Sequence, residues 1–190
     1  MIIISQNAKN YAIPFPDDTI FRINLAWVNS LDELKELLAK NKEHKIFLDL
    51  PVGRIKPPNN KYSLDEIIPI ISSAQNVKYF AISNIESKNS LEPFRNAIPE
   101  HITIVPKIES PQGVKNIDEI VNSLNSSEKV VMLDHDDLYS NIIKAKEDVS
   151  SFQIYMSQLK NYCQEHDIVM LRTIGVIFSD EEKRVTDYIG

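Results

Sequence analysis

Seven short apolar runs, separated by stretches whose apolar residues recur every three or four positions, constrain this chain more than any other feature. The runs are Ile2–Ile4, Ile20–Leu25, Lys45–Leu50, Lys78–Ser83, Ile102–Lys107, Lys129–Leu133 and Ile168–Leu171. They are rich in Ile, Val and Phe, as strands of a parallel sheet covered on both faces are. Between them, Leu31, Leu34, Leu37 and Leu38 share one helical face. So do Leu64, Ile67, Ile68 and Ile71; Ile117, Ile120, Val121 and Leu124; and Val149, Phe152, Met156, Leu159 and Cys163. Three S-x-x-E spacings, at Ser30–Glu33, Ser63–Glu66 and Ser179–Glu182, read as capping boxes at helix starts. This alternation predicts βα units, a parallel sheet of seven strands and at least six helices. An open doubly wound sheet and a (β/α) barrel both satisfy it.

The length of 190 residues fits one domain over residues 1–190, and the irregular stretch Pro57–Asn60 is too short to divide it. The four glycines, Gly53, Gly113, Gly175 and Gly190, stand far apart, which excludes phosphate sites built on a glycine-rich turn. A net charge of −6 with scattered basic residues argues against nucleic acid as a partner. No apolar run reaches membrane-span length, and the first residues lack a signal peptide's charged start. The single cysteine, Cys163, excludes an intramolecular disulfide and fits a reducing, cytoplasmic setting. A soluble cytoplasmic protein is the expectation.

The carboxyl ends of the predicted strands are unusually charged, and that end of a parallel α/β sheet is where chemistry sits. Arg22 and Asn24 close strand two, and Asp49 closes strand three ahead of Arg54 and Lys56. Lys107 and Glu109 close strand five, and Asp134, Asp136 and Asp137 follow strand six. Side chains alternate along a strand, so Lys107 and Glu109 share a side, as do Arg22 and Asn24. Two carboxylates beside a lysine and an arginine suit Mg²⁺ with an anionic ligand, since Mg²⁺ keeps most of its shell for water and substrate oxygens.

These strand ends also carry a family resemblance. The segment from Lys107 to Ile120, KIESPQGVKNIDEI, is similar to the fifth barrel strand of pyruvate kinases. Phe21–Asn24, Phe47–Pro51 with Arg54–Lys56, Ala81–Ser83 and Asp136–Leu138 resemble their second, third, fourth and sixth strands, in the same order. The chain is on this reading a member of the pyruvate kinase-like superfamily, which also holds metal-dependent aldolases and citrate lyase β-like lyases. The resemblance implies a TIM-type (β/α) barrel, incomplete at seven strands, without lid or carboxyl-terminal domain. It implies Glu109 and Asp137 as ligands of Mg²⁺ or Mn²⁺, and Lys107 and Arg22 as catalytic groups. It places Asp136 and Thr173 at the substrate, and Asn24 and Asp49 at a monovalent-cation (K⁺) site.

Several positions depart from the family pattern. Ala26 and Leu50 offer no side-chain oxygen to a monovalent cation, Asp136 stands in place of a glycine, and His135 in place of an arginine. Arg172 competes with Thr173 for the end of strand seven. His44, His101 and His166 read as surface residues, Trp27 as core or lid packing, and Cys163 as a structural residue of a helix face. The Ser179–Lys183 stretch reads as a helix first turn. Two functions follow. One is Mg²⁺-assisted chemistry on a pyruvate- or phosphoenolpyruvate-like acid, by enolate formation, C–C cleavage or phosphoryl transfer. The alternative is a non-catalytic ligand-binding or interaction module. A barrel lacking one strand leaves two open edges, so a homodimer is expected.

Overall fold

The computed structural model describes residues 3–5, 18–53 and 58–172. Seven strands form one parallel sheet in sequence order: β1 (Ile3–Ser5), β2 (Ile20–Asn24), β3 (Lys45–Leu50), β4 (Val77–Ile82), β5 (Thr103–Ile108), β6 (Val130–Leu133) and β7 (Val169–Arg172). Among the described residues β1 and β7 are its edges, so the α/β fold is an open half-barrel. The seven parallel strands in sequence order are as expected from sequence, and a full TIM-type barrel is not what the described residues form. Every strand matches a predicted run to within two residues.

Of the helices, α1 (Leu31–Lys40), α2 (Leu64–Ser73), α5 (Ile117–Asn122) and α7 (Ser151–Glu165) occupy the four predicted stripes. Three more, α3 (Lys88–Ala97), α4 (Pro111–Lys115) and α6 (His135–Lys144), carried no such signal. The Ser63–Glu66 box forms completely, with the Glu66 carboxylate accepting from Ser63 N–H. At Ser30 only half forms, because the Glu33 carboxylate takes Asn29 N–H instead. The third expected box, Ser179–Glu182, lies outside the described residues. Ser87 and Ser90 build an unpredicted box at α3, with a serine doing the work of glutamate. None of the helices among the described residues is long and apolar enough to cross a membrane.

The two faces of the sheet are different. One packs against the helices through a large apolar core that includes Phe21, Ile23, Leu48, Phe80 and Ile108 from the strands and Leu34, Ile67, Leu91 and Leu159 from the helices. The other face carries a smaller cluster drawn from strands alone: Ile20, Phe47, Tyr79, Ala81, Val105, Val130 and Met132. Two residues further along each chain from this cluster, the same face turns polar. The register aligns these positions, pairing Asn24 with Asp49 and Asp49 with Ala81.

Candidate functional site

Lys107 is the hub of the polar end. Only 2% exposed, it sits among groups from the end of its own strand and from three other strand ends. Its ammonium donates to Ser83 Oγ at 3.1 Å and lies 2.8 Å from Glu109 Oε1, 3.8 Å from Asp49 Oδ1 and 3.9 Å from Asp134 Oδ2. Strand alternation brings Lys107 and Glu109 together as the sequence indicates. Asp49 is fully buried, and its other oxygen, Oδ2, accepts from Arg22 Nε at 2.9 Å and from Arg22 Nη2. Arg22 retains partial exposure. It therefore ties Asp49 to the mouth of the sheet.

Glu109 follows β5 and is held from two sides. Its Oε2 accepts from Asn84 N–H at 2.7 Å, and its backbone carbonyl accepts from Asn141 Nδ2 of α6 at 2.7 Å. Its Oε1, although ion-paired with Lys107, has no hydrogen bond of proper geometry. Asp134 and Asp137 come from the start of α6. Asp134 is the N-cap, accepting from Asp137 N–H at 3.3 Å. One oxygen each from Glu109, Asp134 and Asp137 fall within 4.8 Å of one another.

Charge decides what this arrangement asks for. Asp49, Glu109, Asp134 and Asp137 are four carboxylates, while Lys107 and Arg22 are two cations. Several of these carboxylates crowd around the one buried ammonium of Lys107, and a divalent cation would relieve their mutual repulsion. Burial pushes the Glu109 carboxyl above its usual range, and the neighbouring Asp134 adds to this against the pull of Lys107 and Asn84 N–H. Burial acts to lower the Lys107 pKa, but Asp49, Glu109 and Asp134 together outweigh it, and the ammonium is held above its ordinary value. Lys107 is thus a fixed positive charge. The buried His135 is pushed below its ordinary value by desolvation, against the pull of Asp134.

Other expected site residues stand apart. Asp136 is exposed on α6 and outside the three-carboxylate group, because one helical step turns it about 100° from Asp137. The Asn24 Oδ1 accepts from Ala26 N–H at 3.0 Å, capping the 3-10 turn Leu25–Trp27. Asp49 Oδ2 is held by Arg22, whereas its Oδ1, 3.8 Å from the Lys107 ammonium, is buried without a hydrogen-bond partner. Thr173, Arg54 and Lys56 lie outside the described residues. Trp27 is 64% exposed rather than packed in a core. His44 is half-buried, with its ring edge-on to Phe21 at 4.6 Å between centroids, rather than a surface residue. Asp134, Ser83 and Asn84 are the participants that sequence reasoning did not assign. The D-x-x-D spacing of Asp134 and Asp137 is the signal that could have found the first.

No family model matches the chain, and no curated protein matches it either. Among solved structures, RipC from Yersinia pestis superposes with a TM-score of 0.59 over 89% of this chain and 79% of that one, at 13% identity. At that identity the likeness concerns the fold alone. The assignment to the pyruvate kinase-like superfamily is corrected on these findings: no family model supports it, and the fold's solved counterpart here is RipC. There is a physical reason why the motifs misled. Any parallel strand that ends in a polar mouth alternates buried and charged positions, so Lys-Ile-Glu at a strand end reports the architecture as much as a lineage.

Proposed function

We propose that this chain binds a divalent cation, Mg²⁺ or Mn²⁺, at Glu109, Asp134 and Asp137, and beside it a small acid such as a 2-oxo acid or enol phosphate. The observation that carries this reading is the group of three carboxylate oxygens beside the buried Lys107. The donors fit the ion. Adjacent oxygens around Mg²⁺ stand about 3 Å apart, given bonds of ~2.1 Å, so only a modest contraction is needed. The poorly bonded Glu109 Oε1 is one candidate donor. When bound, the ion supplies a Lewis acid that polarises a ligand oxygen.

The chain's own residues supply the rest. Arg22, partly exposed at the mouth, holds the ligand's carboxylate or phosphate. Lys107 keeps a proton and a charge where negative charge grows on an oxygen, which suits enolate formation, C–C cleavage or phosphoryl transfer. A second reading, a non-catalytic binding module, is favoured by one observation: Lys107 already has Ser83 and three carboxylates around it. Closure of the half-barrel by a second copy, as a homodimer, belongs to the same proposal, as does a cytoplasmic setting suited to the free thiol of Cys163.

Calorimetric titration with Mn²⁺, alone and with oxalate as an enolate mimic, tests the proposal. The parent protein binds Mn²⁺ weakly and oxalate only with Mn²⁺ present, and Glu109→Gln loses both. Equal Mn²⁺ binding by parent and Glu109→Gln removes the assignment. Oxalate binding without turnover of any 2-oxo acid or enol phosphate favours the non-catalytic module.

A further inference from the structure

Three non-glycine residues among those described have a left-handed backbone: Asn84, Lys146 and Asp167. Lys146 and Asp167 come just after α6 and α7, where such a residue ordinarily ends a helix. Asn84 instead follows a strand, with φ of +56°, and asparagine is among the few side chains that tolerate this region. The turn gives Asn84 two grips in opposite directions. Its N–H donates to Glu109 Oε2 at 2.7 Å, and its side-chain Nδ2 donates to the Val52 carbonyl at 2.6 Å. Gly53, also left-handed at +65°, lies against the same amide, so that an added Cβ would be 3.6 Å from Asn84 Nδ2. One residue therefore holds a carboxylate of the site with its backbone and the start of the β3–α2 connection with its side chain.

We propose that Asn84 is a positioning residue that couples cation occupancy at Glu109 to the placement of Val52 and Gly53 at the mouth of the sheet. The inference rests on the metal reading above and deepens it by naming what the ion's arrival moves. A cation that fixes the Glu109 carboxylate fixes the peptide that donates to it, and the Val52 carbonyl is held by the same residue. The coupling is reciprocal, so loss of the tether to Val52 weakens the ion's hold on Glu109. Partners of ligand groups of this kind typically change metal affinity 10–100-fold when lost.

The test uses the full chain, with Mn²⁺ as probe, and reads both Mn²⁺ affinity and amide exchange over Val52 and Gly53. In the parent, Mn²⁺ slows exchange at these two amides. Asn84→Gly keeps the left-handed backbone and its N–H but lacks the tether. It binds Mn²⁺ about 10-fold more weakly or worse, and Mn²⁺ no longer slows exchange there. Asn84→Asp, which also tolerates the backbone but has no side-chain N–H, gives the same two losses. Ser87→Ala removes the α3 cap three residues away and leaves Mn²⁺ affinity unchanged, which separates positioning from general loosening. Parent-like affinity in Asn84→Gly, or exchange that Mn²⁺ still slows in it, overturns the proposal. Failure of the parent itself to bind Mn²⁺ overturns the metal reading and this inference together, and is distinguished by appearing without any substitution.

Discussion

The face of the sheet that no helix covers among the described residues is two surfaces end to end. Its lower half holds Ile20, Phe47, Tyr79, Val105 and Val130, a dry patch built by strands alone. Its upper half, two to four residues along the same strands, holds Arg22, Asp49, Ser83, Lys107, Glu109 and Asp134. Both halves are products of one side-chain alternation in one parallel register, so the geometry is shared and only the chemistry changes. The lower half gains from burial. The upper half spends it, because buried charges are costly unless paired, and here four carboxylates meet two cations. The comparison teaches that the apolar half, with the helix-packed core behind it, supplies the stability that lets a crowded, buried charge group persist.

The largest effect expected in breaking that comparison is in the dry half. Phe47→Ala should lower unfolding stability by about 3–5 kcal/mol, equally with and without Mn²⁺, in denaturant titrations. Lys107→Met comes next, at about 3 kcal/mol, because it strands buried carboxylates. Unlike Phe47→Ala, it should recover part of the loss when Mn²⁺ is added, since a divalent ion replaces the missing charge. A loss that Mn²⁺ leaves untouched would mean that the upper half is an ordinary ion-pair lattice.

A smaller effect is expected at Glu109 in the absence of metal. Its pKa is raised above 4.5 in the folded state, so between pH 4.5 and that raised value the native chain binds more protons than the unfolded one. Stability therefore falls as pH rises through this window. Glu109→Gln should lack that slope, and a parallel pair of pH–stability curves would contradict the upward shift that burial gives Glu109. The smallest effect lies behind the helices. Burial pushes the Cys163 thiol from 9.0 up to about 11, so at pH 8 its thiolate is about 100-fold scarcer than in an unfolded chain. Alkylation of the native protein should be slower by at least that factor, and fast labelling would show that α7 opens readily.

The strands were legible because Ile, Val and Phe in runs of three to six leave few other options in a chain with so few glycines. The α1 and α2 helices were legible through their leucine and isoleucine stripes. The α6 helix was not, because His135-Asp-Asp reads as a solvated loop, whereas Asp134 and the first-turn acids start a helix by capping it and matching its dipole. At the site, alternation alone joined Lys107 to Glu109. The contacts of Lys107 with Ser83 and Asp134 cross to neighbouring strands and that with Asp49 spans two, and register across a parallel sheet is not written in any one segment. Asp136 was assigned and Asp134 passed over for the same reason: a helix begins one residue earlier than the polar run suggests.

Gly113, in the short α4 helix, bears on how much change this sequence can absorb. A Cβ there would stand 2.7 Å from the Ile85 carbonyl, a separation real side chains do not show. Ile85 is the neighbour of Asn84, and its own N–H donates to the Lys107 carbonyl at 3.3 Å. A single methyl group at this buried helix position would thus push the peptide chain that grips Glu109 and braces β5. Drift at this position is closed even to alanine, and the nearest escape is a compensating shift of the β4–α3 connection. Among descendants of this sequence, the acids of the mouth could change one at a time before the spacer behind them could change at all.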